Sequence, residues 1–451
     1  MLRLIFVLLI VAFGMKYAVK GAFGALLLYL WVAYFRPQSW AYEASFLQFL
    51  NLSFTTGVYL LFRSTVGGGT RFRVDLRVGL LLVFFCLSLA STAMSAERAY
   101  AWPYWVEFSK AAIVSYLLAV LVTDGTKFRT TVLVIALSLG FESAKQGWVE
   151  LLLHPGATNT NGHEMLGDNN GLAVGMLALV PLFIALAQTA KQPWEKWMHR
   201  FFVLGVAYRG ISTYSRGGFL AAGAMMIVYI VRSKQRARAA VGALLVAVVV
   251  LSVLPQRFWD RMSTLRVTSE DQIEDDSALS RLHFWRVAVN MANANPILGV
   301  GYNAYNSEYN KYDFLNGRYG FNRAAHSMWF GVLAELGYPG FLTYVAMLLL
   351  AVVGSGAVAA KAARGEIPKE FYCYGVALQT SFAAIFVGGS FVPWQYTELL
   401  WHLIALTMAL RWVALDPALA VAAPAARVEP ARPPRAKIFQ PNPAIRGAHL
   451  S

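Results

Sequence analysis

Hydrophobic residues along this chain come in long unbroken runs rather than in alternation. Apolar runs of about 17–25 residues match the length of a helix that crosses a bilayer core. They lie near residues 3–18, 20–35, 46–63, 77–95, 109–123, 130–149, 169–189, 199–214, 217–232, 238–254, 339–360, 371–391 and 397–414. Their continuity argues against the two-residue alternation of a membrane β-barrel. The pattern predicts an all-α polytopic membrane protein, a bundle of about 12–13 transmembrane helices.

The segments between the runs differ in charge. "FRSTVGGGTRFRVDLR", "TDGTKFR", "AKQPWEKWMHR", "RSKQRARA" and "KAARGEIPKE" are short and basic, which assigns them to the cytoplasmic side. The other connections then face outward: "RPQSWAYEAS", "SAERAYAWPYWVEFSK", "HPGATNTNGHEMLGDNNG", "STYSRGG" and the stretch 255–325. Trp40, Tyr42, Trp102, Tyr104 and Trp105 sit at outward ends, where an interfacial aromatic belt belongs. An odd number of spans places the N-terminus outside unless the first segment lies along the interface. Arg3, Lys16 and Lys20 leave both arrangements open. Four regions follow: a transmembrane bundle over 1–254, an outward loop domain with surface helices over 255–338, transmembrane helices over 339–415, and a Pro- and Ala-rich cytoplasmic tail over 416–451, disordered by composition.

The stretch from His326 to Ala360 is too long for one ordinary span. Gly337 suits the left-handed position past a helix end, and Pro339 follows where that helix cannot continue. "HSMWFGVLAEL" is therefore expected as a short surface helix with His326 in its first turn. The span itself should start near Pro339.

Composition supports the membrane reading. Of 451 residues 57% are hydrophobic and 14% charged, too little charge to cover a soluble protein of this size. The formal net charge of +15 fits basic cytoplasmic loops and gives no reason to invoke nucleic acid. Cys86 and Cys373 both fall in apolar runs as small hydrophobes, with no disulfide framework and no metal-ligand spacing. Arg3 precedes an apolar run with no small-residue cleavage site before Lys16, so the first segment reads as retained.

Candidate chemistry gathers on the outward side. The run "SEDQIEDDS" offers Asp271, Glu274, Asp275 and Asp276 as hard oxygen ligands. Its spacing matches no known cation loop, and a solvated segment whose charge favours the next helix's N-terminus is the simpler reading. That next helix is expected over about 277–294. At 100° per residue, Ala278, Leu282, Trp285, Ala288, Val289 and Ala292 share one face, and Arg281 falls among them. His283, Arg286 and Asn290 fall on the polar side. A guanidinium on a packing face needs an anion or a carboxylate. Arg216, in "STYSRGG", stands at the outer mouth of two spans; it either snorkels to the interface or, with two glycines beside it, meets a ligand at close range. Glu142 and Lys145 stand three apart and can pair. Lys110, Lys145, Asn169 and Asn170 complete the candidate substrate-binding set with Arg216 and Arg281. A bound phosphate would account for two arginines and His326 at similar depth.

"GDNNGLAVGM", "YSRGGFLA", "LPQRFWDRMSTL", "SRLHFWRVAVNMANANPILGVGYNAY" and "AAHSMWFGVLAELGYPG" together resemble the O-antigen ligase and polymerase superfamily, closest to its exosortase-associated O-glycosylation ligases. The resemblance covers most of the chain outside the tail. It implies a bundle of about a dozen transmembrane helices with a periplasmic loop domain, similar to membrane-embedded glycosyltransferases. It also implies an inverting, metal-independent transfer, with no cofactor, of a glycan from undecaprenyl diphosphate to lipid A core, protein or another glycan. The setting implied is the periplasmic face of the bacterial inner membrane. Carried over residue by residue, it makes Arg216, Arg281 and His326 the catalytic set. A polymerase of the same superfamily shares this chemistry. A lipid-linked glycan transporter without covalent activity is the rival from another class, but it should carry charges along a path through several spans, and no internal repeat supports it.

Overall fold

The computed structural model describes residues 2–40, 51–66, 72–159, 161–253, 259 and 276–415. The expected tail over 416–451, Tyr42, the "LPQRFWDRMSTL" segment apart from Trp259, and the acidic residues Asp271, Glu274 and Asp275 lie outside the described residues.

In chain order the helices are α1 (Leu2–Ala18), α2 (Ala22–Phe35), α3 (Pro37–Trp40), α4 (Leu52–Val66), α5 (Leu76–Met94), α6 (Arg98–Leu121), α7 (Gly125–Leu153) and α8 (Asn169–Gln188). There follow α9 (Pro193–Ile211), α10 (Arg216–Arg232), α11 (Arg236–Val253), α12 (Asp276–Ala294), α13 (Tyr305–Tyr312), α14 (Met328–Ala363), α15 (Glu370–Gly388) and α16 (Glu398–Ala414). A helix falls on every apolar run. Among the described residues the β-pairing is an isolated bridge between His163 and Gly167. By length and composition, α5, α6, α8, α14 and α15 can each cross a membrane. The protein is an all-α polytopic membrane protein.

Short polar residues set the helix starts. Asp75, Asp124, Asp168 and Ser215 cap α5, α7, α8 and α10 by accepting hydrogen bonds from first-turn backbone N–H groups, which satisfies donors that a helix leaves open. The core centres on α8 and α16, both apolar and buried nearly all round, as a helix enclosed by others should be. α8 packs among α7, α9, α10 and α15, and α16 among α6, α14 and α15. Small residues permit the closest crossing: a methyl group on Gly147 of α7 would overlap the carbonyl of Gly205 of α9. Phe84, Phe108 and Trp401 fill the space between α5, α6 and α16, with ring centroids 5.0 Å (Phe84–Trp401) and 5.1 Å (Phe108–Trp401) apart.

α1 runs antiparallel along α2, with Val7 against Trp31 and Phe35, and Tyr17 against Gly24. Its first residues therefore lie at the end of the bundle where α2 finishes. That end also carries the starts of α6, α8, α10, α14 and α16; it is called the site end below.

The expected break in α14 is present. Gly337 has φ 65° and ψ −169° inside an otherwise continuous helix, and Tyr338 N–H donates to Pro296 O at 2.9 Å. The two helical pieces run on as one kinked element. His326 is not in the first turn: it precedes the N-cap Ser327 and has φ 46°. Residues 295–326, including α13, lie with α12 over the first part of α14. They close a second core of Phe284, Val287, Ala288, Met291, Val300, Tyr305, Tyr309 and Ala325.

The rotation of α12 differs from the sequence expectation. His283 is 5% exposed, whereas Leu282 is 50% exposed. The cause is a partner thirty residues away: His283 Nε2 donates to Asp313 Oδ1 at 2.8 Å, and Phe314 and Tyr319 pack against the imidazole. Arg286 and Asn290 are exposed, as expected.

Candidate functional site

The segment 388–398, between α15 and α16, ties the candidate residues together. Met328 N–H donates to Gly389 O at 2.8 Å, which fixes the chain two residues past His326. Trp329 Nε1 donates to Ser390 Oγ at 3.1 Å. The Arg281 guanidinium lies 5.6 Å from the Phe391 ring centroid. A Cβ on Gly217, the residue after Arg216, would stand 3.1 Å from Phe391. Trp394 Nε1 donates to Leu166 O at 3.3 Å, beside the Asp168 cap of α8. Arg216, Arg281, His326 and the start of α8 thus meet around Phe391, although 110 residues of sequence separate Arg216 from His326.

Each side chain has an identifiable support. Arg216 is the first residue of α10, half-buried, behind a cap in which Gly218 N–H donates to Ser215 Oγ at 3.2 Å. Tyr214, just before that cap, has φ 50°. Non-glycine residues held in the left-handed region cost about 1–3 kcal/mol and cluster at functional sites; His326 and Tyr214 both border this one. His326 is half-buried, with its ring 6.2 Å from that of Phe284. Trp285 Nε1 donates to Ala325 O at 3.2 Å, tying α12 to the same backbone.

The electrostatics favour a neutral imidazole. Burial pushes His326 below its ordinary pKa, the Arg281 charge acts in the same direction, Asp168 opposes them, and Arg323 adds to the lowering. Arg281 and Asp168 are therefore both within electrostatic reach of His326.

The remaining sequence candidates divide. Asn169 and Asn170 are half-buried in the first turn of α8, and Asn170 Nδ2 donates to Asp168 Oδ2 at 2.9 Å. Lys110 reaches a neighbouring cavity and pairs with Glu107 at 2.5 Å. Lys145 is engaged by Glu142 at 2.7 Å on the surface of α7.

Sequence reasoning missed three groups. The first is Asp168, whose cap motif was visible in "GDNNG". The second is Phe391 with Trp394, in a turn that carries no charge and so gave no signal. The third is Arg209, 1% exposed. Its Nε donates to Gln146 Oε1 at 3.1 Å and its Nη2 to Asn161 O at 2.8 Å. Glu150 lies beside it at 3.9 Å and accepts from Asn159 and Ser212. This network anchors the loop that leads into Asp168.

The cavity occupies about 510 Å³ between the site end and residues 302–325. It reaches Ala324 and Ala325, immediately before His326, and Pro393, two residues past Phe391.

Fold and site define a membrane-embedded protein with two arginines, a histidine and an adjoining cavity at one end of a helical bundle. Residues 201–345, which contain Arg216, Arg281 and His326, match the family described as O-antigen ligase. Residues 1–197 match a family of unknown function, DUF5935. Residues 201–345 are thus an O-antigen ligase domain, which supports a relation to the O-antigen ligase and polymerase superfamily. That domain supports glycan transfer of the ligase or polymerase type, with a lipid-linked glycan and an acceptor in a membrane as substrates. Among curated proteins, none matches the chain.

Proposed function

We propose that this protein is a glycan ligase that transfers an oligo- or polysaccharide from undecaprenyl diphosphate to an acceptor, with Arg216, Arg281 and His326 as its catalytic residues. The observation that carries this reading is their convergence around Phe391, inside the matched O-antigen ligase region. The site end is assigned to the periplasmic face of the inner membrane. The opposite end supports this, because Arg129, Lys127, Arg364 and Lys234 lie there, and excess basic charge marks the cytoplasmic side. The same assignment keeps the four regions 1–254, 255–338, 339–415 and 416–451.

The chemistry follows from the residue types. The acceptor oxygen or nitrogen attacks the anomeric carbon from the side opposite the diphosphate. The bond from that carbon to the phosphate oxygen breaks, and its electron pair leaves with the diphosphate. Guanidinium groups stabilise the growing negative charge through paired, planar hydrogen bonds. Arg216 stands at a helix N-terminus, where the backbone dipole adds to that stabilisation. The acceptor loses its proton to the neutral imidazole of His326. Asn169 and Asn170, at the start of α8, are assigned to hydrogen bonding with the donor headgroup.

The test is transfer by purified protein supplied with an undecaprenyl-diphosphate glycan and lipid A core, peptide or glycan acceptors, with products identified by mass. His326→Ala should abolish transfer while donor still binds. Arg216→Ala and Arg281→Ala should weaken donor binding as well as turnover. A His326→Ala variant that loses donor binding but turns over normally at saturation would instead make His326 a phosphate ligand.

A further inference from the structure

The cavity beside His326 has an electrostatic character opposite to that of the arginine site. Four carboxyl groups line it, those of Glu107, Glu164 and Glu398 and of the buried Glu335. Among the described residues its lining cations are Arg36 and Lys110. Both are already engaged: Arg36 Nη1 pairs with Glu164 at 3.1 Å, and Lys110 Nζ with Glu107 at 2.5 Å. Neither Arg216 nor Arg281 lines the cavity. A phosphate placed here would meet carboxylates with no uncommitted cation among those lining residues.

The rest of the wall suits a sugar. Tyr302 and Tyr396 pack at a tilt with ring centroids 4.1 Å apart; Tyr302 and Tyr305 are buried behind the wall, and the exposed ring among the lining tyrosines is that of Tyr104. An exposed ring such as that of Tyr104 takes the C–H surface of a pyranose. Gln395 also lines it and is 5% exposed. Its Nε2 lies 3.4 Å from Glu335 Oε2, while its Oε1 is buried with no hydrogen-bond partner. A buried amide oxygen without a donor is costly, and a sugar hydroxyl or ammonium group would supply one. Carboxylates accept from hydroxyls, so the wall as a whole is built for a ligand rich in donors.

We infer that this cavity is the subsite for the acceptor's carbohydrate, and that it selects a neutral or amino-bearing glycan over one carrying phosphate. The assignment to acceptor rather than donor rests on the proposed function above, in which His326 acts on the acceptor. The cavity reaches the backbone next to His326 and lies apart from the arginines that would hold the donor diphosphate.

The experiment separates the two readings by measuring binding without turnover. Detergent-solubilised full-length protein is titrated with three probes, followed by saturation-transfer NMR: chitotetraose, its fully deacetylated amine form, and chitotetraose phosphorylated at the 6-position. The first two should bind, and the phosphorylated probe at least tenfold more weakly. Tyr104→Ala, at a position 48% exposed and so tolerant of truncation, should weaken the neutral probe about tenfold. Glu107→Gln frees Lys110 and should narrow the discrimination against phosphate. Equal or tighter binding of the phosphorylated probe, no binding of any probe, or indifference to Tyr104→Ala would overturn the subsite. In transfer assays, Tyr104→Ala should raise KM for a glycan acceptor and leave KM for donor unchanged. Transfer to a serine- or threonine-bearing peptide that ignores Tyr104→Ala and Glu107→Gln would overturn the carbohydrate assignment in favour of a peptide acceptor. Probe binding with no transfer to any acceptor would leave the subsite standing and refute the ligase reading.

Discussion

Replacing Asp313 by alanine should loosen the surface layer that carries His326. Asp313 is a joint between two parts of that layer. It accepts from His283 Nε2 at 2.8 Å, from Leu315 N–H at 3.0 Å and from Gly317 N–H at 2.7 Å. Burial raises its pKa, but the hydrogen bonds from Leu315, Gly317 and His283 outweigh this and hold it below the usual carboxylate value. Truncation leaves three donors without an acceptor. Leu315 is exposed and Gly317 half-exposed, so water can reach those two and their loss is small. His283 is buried under Phe314 and Tyr319, so its Nε2–H stays unsatisfied, at about 1–3 kcal/mol. With about 1 kcal/mol for the two backbone bonds, the total is about 2–4 kcal/mol. Local opening of residues 295–326 should therefore become about 30- to 700-fold more frequent.

Amide hydrogen exchange across 295–326, read by mass spectrometry, measures this directly. Asp313→Asn keeps one acceptor and should fall between wild type and alanine. Because the folded pKa of Asp313 is lowered, its stabilising contribution is present above the unfolded value and is lost as pH falls through the folded one. Wild type and Asp313→Ala should accordingly converge only below about pH 4. Unchanged protection in Asp313→Ala at neutral pH would refute the reasoning, and so would a loss spread equally over α8 and α16. Transfer should fall along with protection, since Trp285 and Phe284 of α12 contact Ala325 and His326.

Other expectations concern the site itself. Arg281→Lys should fail nearly as badly as Arg281→Ala, because a point charge offers neither the planar fork nor the stacking on Phe391. Exposed Arg286→Ala should lose less than about 1 kcal/mol; near-normal transfer by Arg281→Lys at matched expression would make Arg281 a structural partner. The acidic limb of the pH–rate profile should lie below the ordinary imidazole value of about 6.5 and move upward in the residual activity of Arg281→Gln. A wild-type limb at or above that value would contradict the proposed base. Chelator should leave transfer essentially intact if guanidinium groups stabilise the leaving diphosphate; activity lost to chelator and restored by Mg²⁺ or Mn²⁺ would return attention to the acidic run at 269–277.

The bundle was legible because its determinants are local. A continuous apolar run predicts a helix in lipid whatever it packs against, and each run carries one. Gly337 and Pro339 announced a break because left-handed backbone and a missing N–H are properties of single residues. The face of α12 was illegible for the complementary reason. In a helix carrying apolar residues on several sides, the buried face is chosen by the partner, and Asp313 lies thirty positions downstream. Arg216, Arg281 and His326 were expected from their residue types and their places at helix ends on the outward side. Their meeting point was not, because Phe391 and Trp394 bear no charge and act by shape.

Charge placement carries the functional argument one step further. At the site end, Arg281 and the start of α8 act electrostatically on His326, and a cavity lined by acidic and aromatic residues reaches the backbone just before it. A single basic pocket would bind the donor diphosphate and any phosphorylated acceptor alike, and affinity for one would be inhibition by the other. Two adjoining compartments of opposite sign remove that conflict, because a ligand placed in the wrong one meets like charge or an unmet polar group. His326 follows directly on Ala325 of the cavity wall and lies within reach of the Arg281 charge. The Arg281 charge favours its neutral form, as the proposed role of base requires. In the proposed transfer the nucleophile arrives opposite the leaving group, so an acceptor presented from the cavity would approach the proposed base from the side away from the diphosphate.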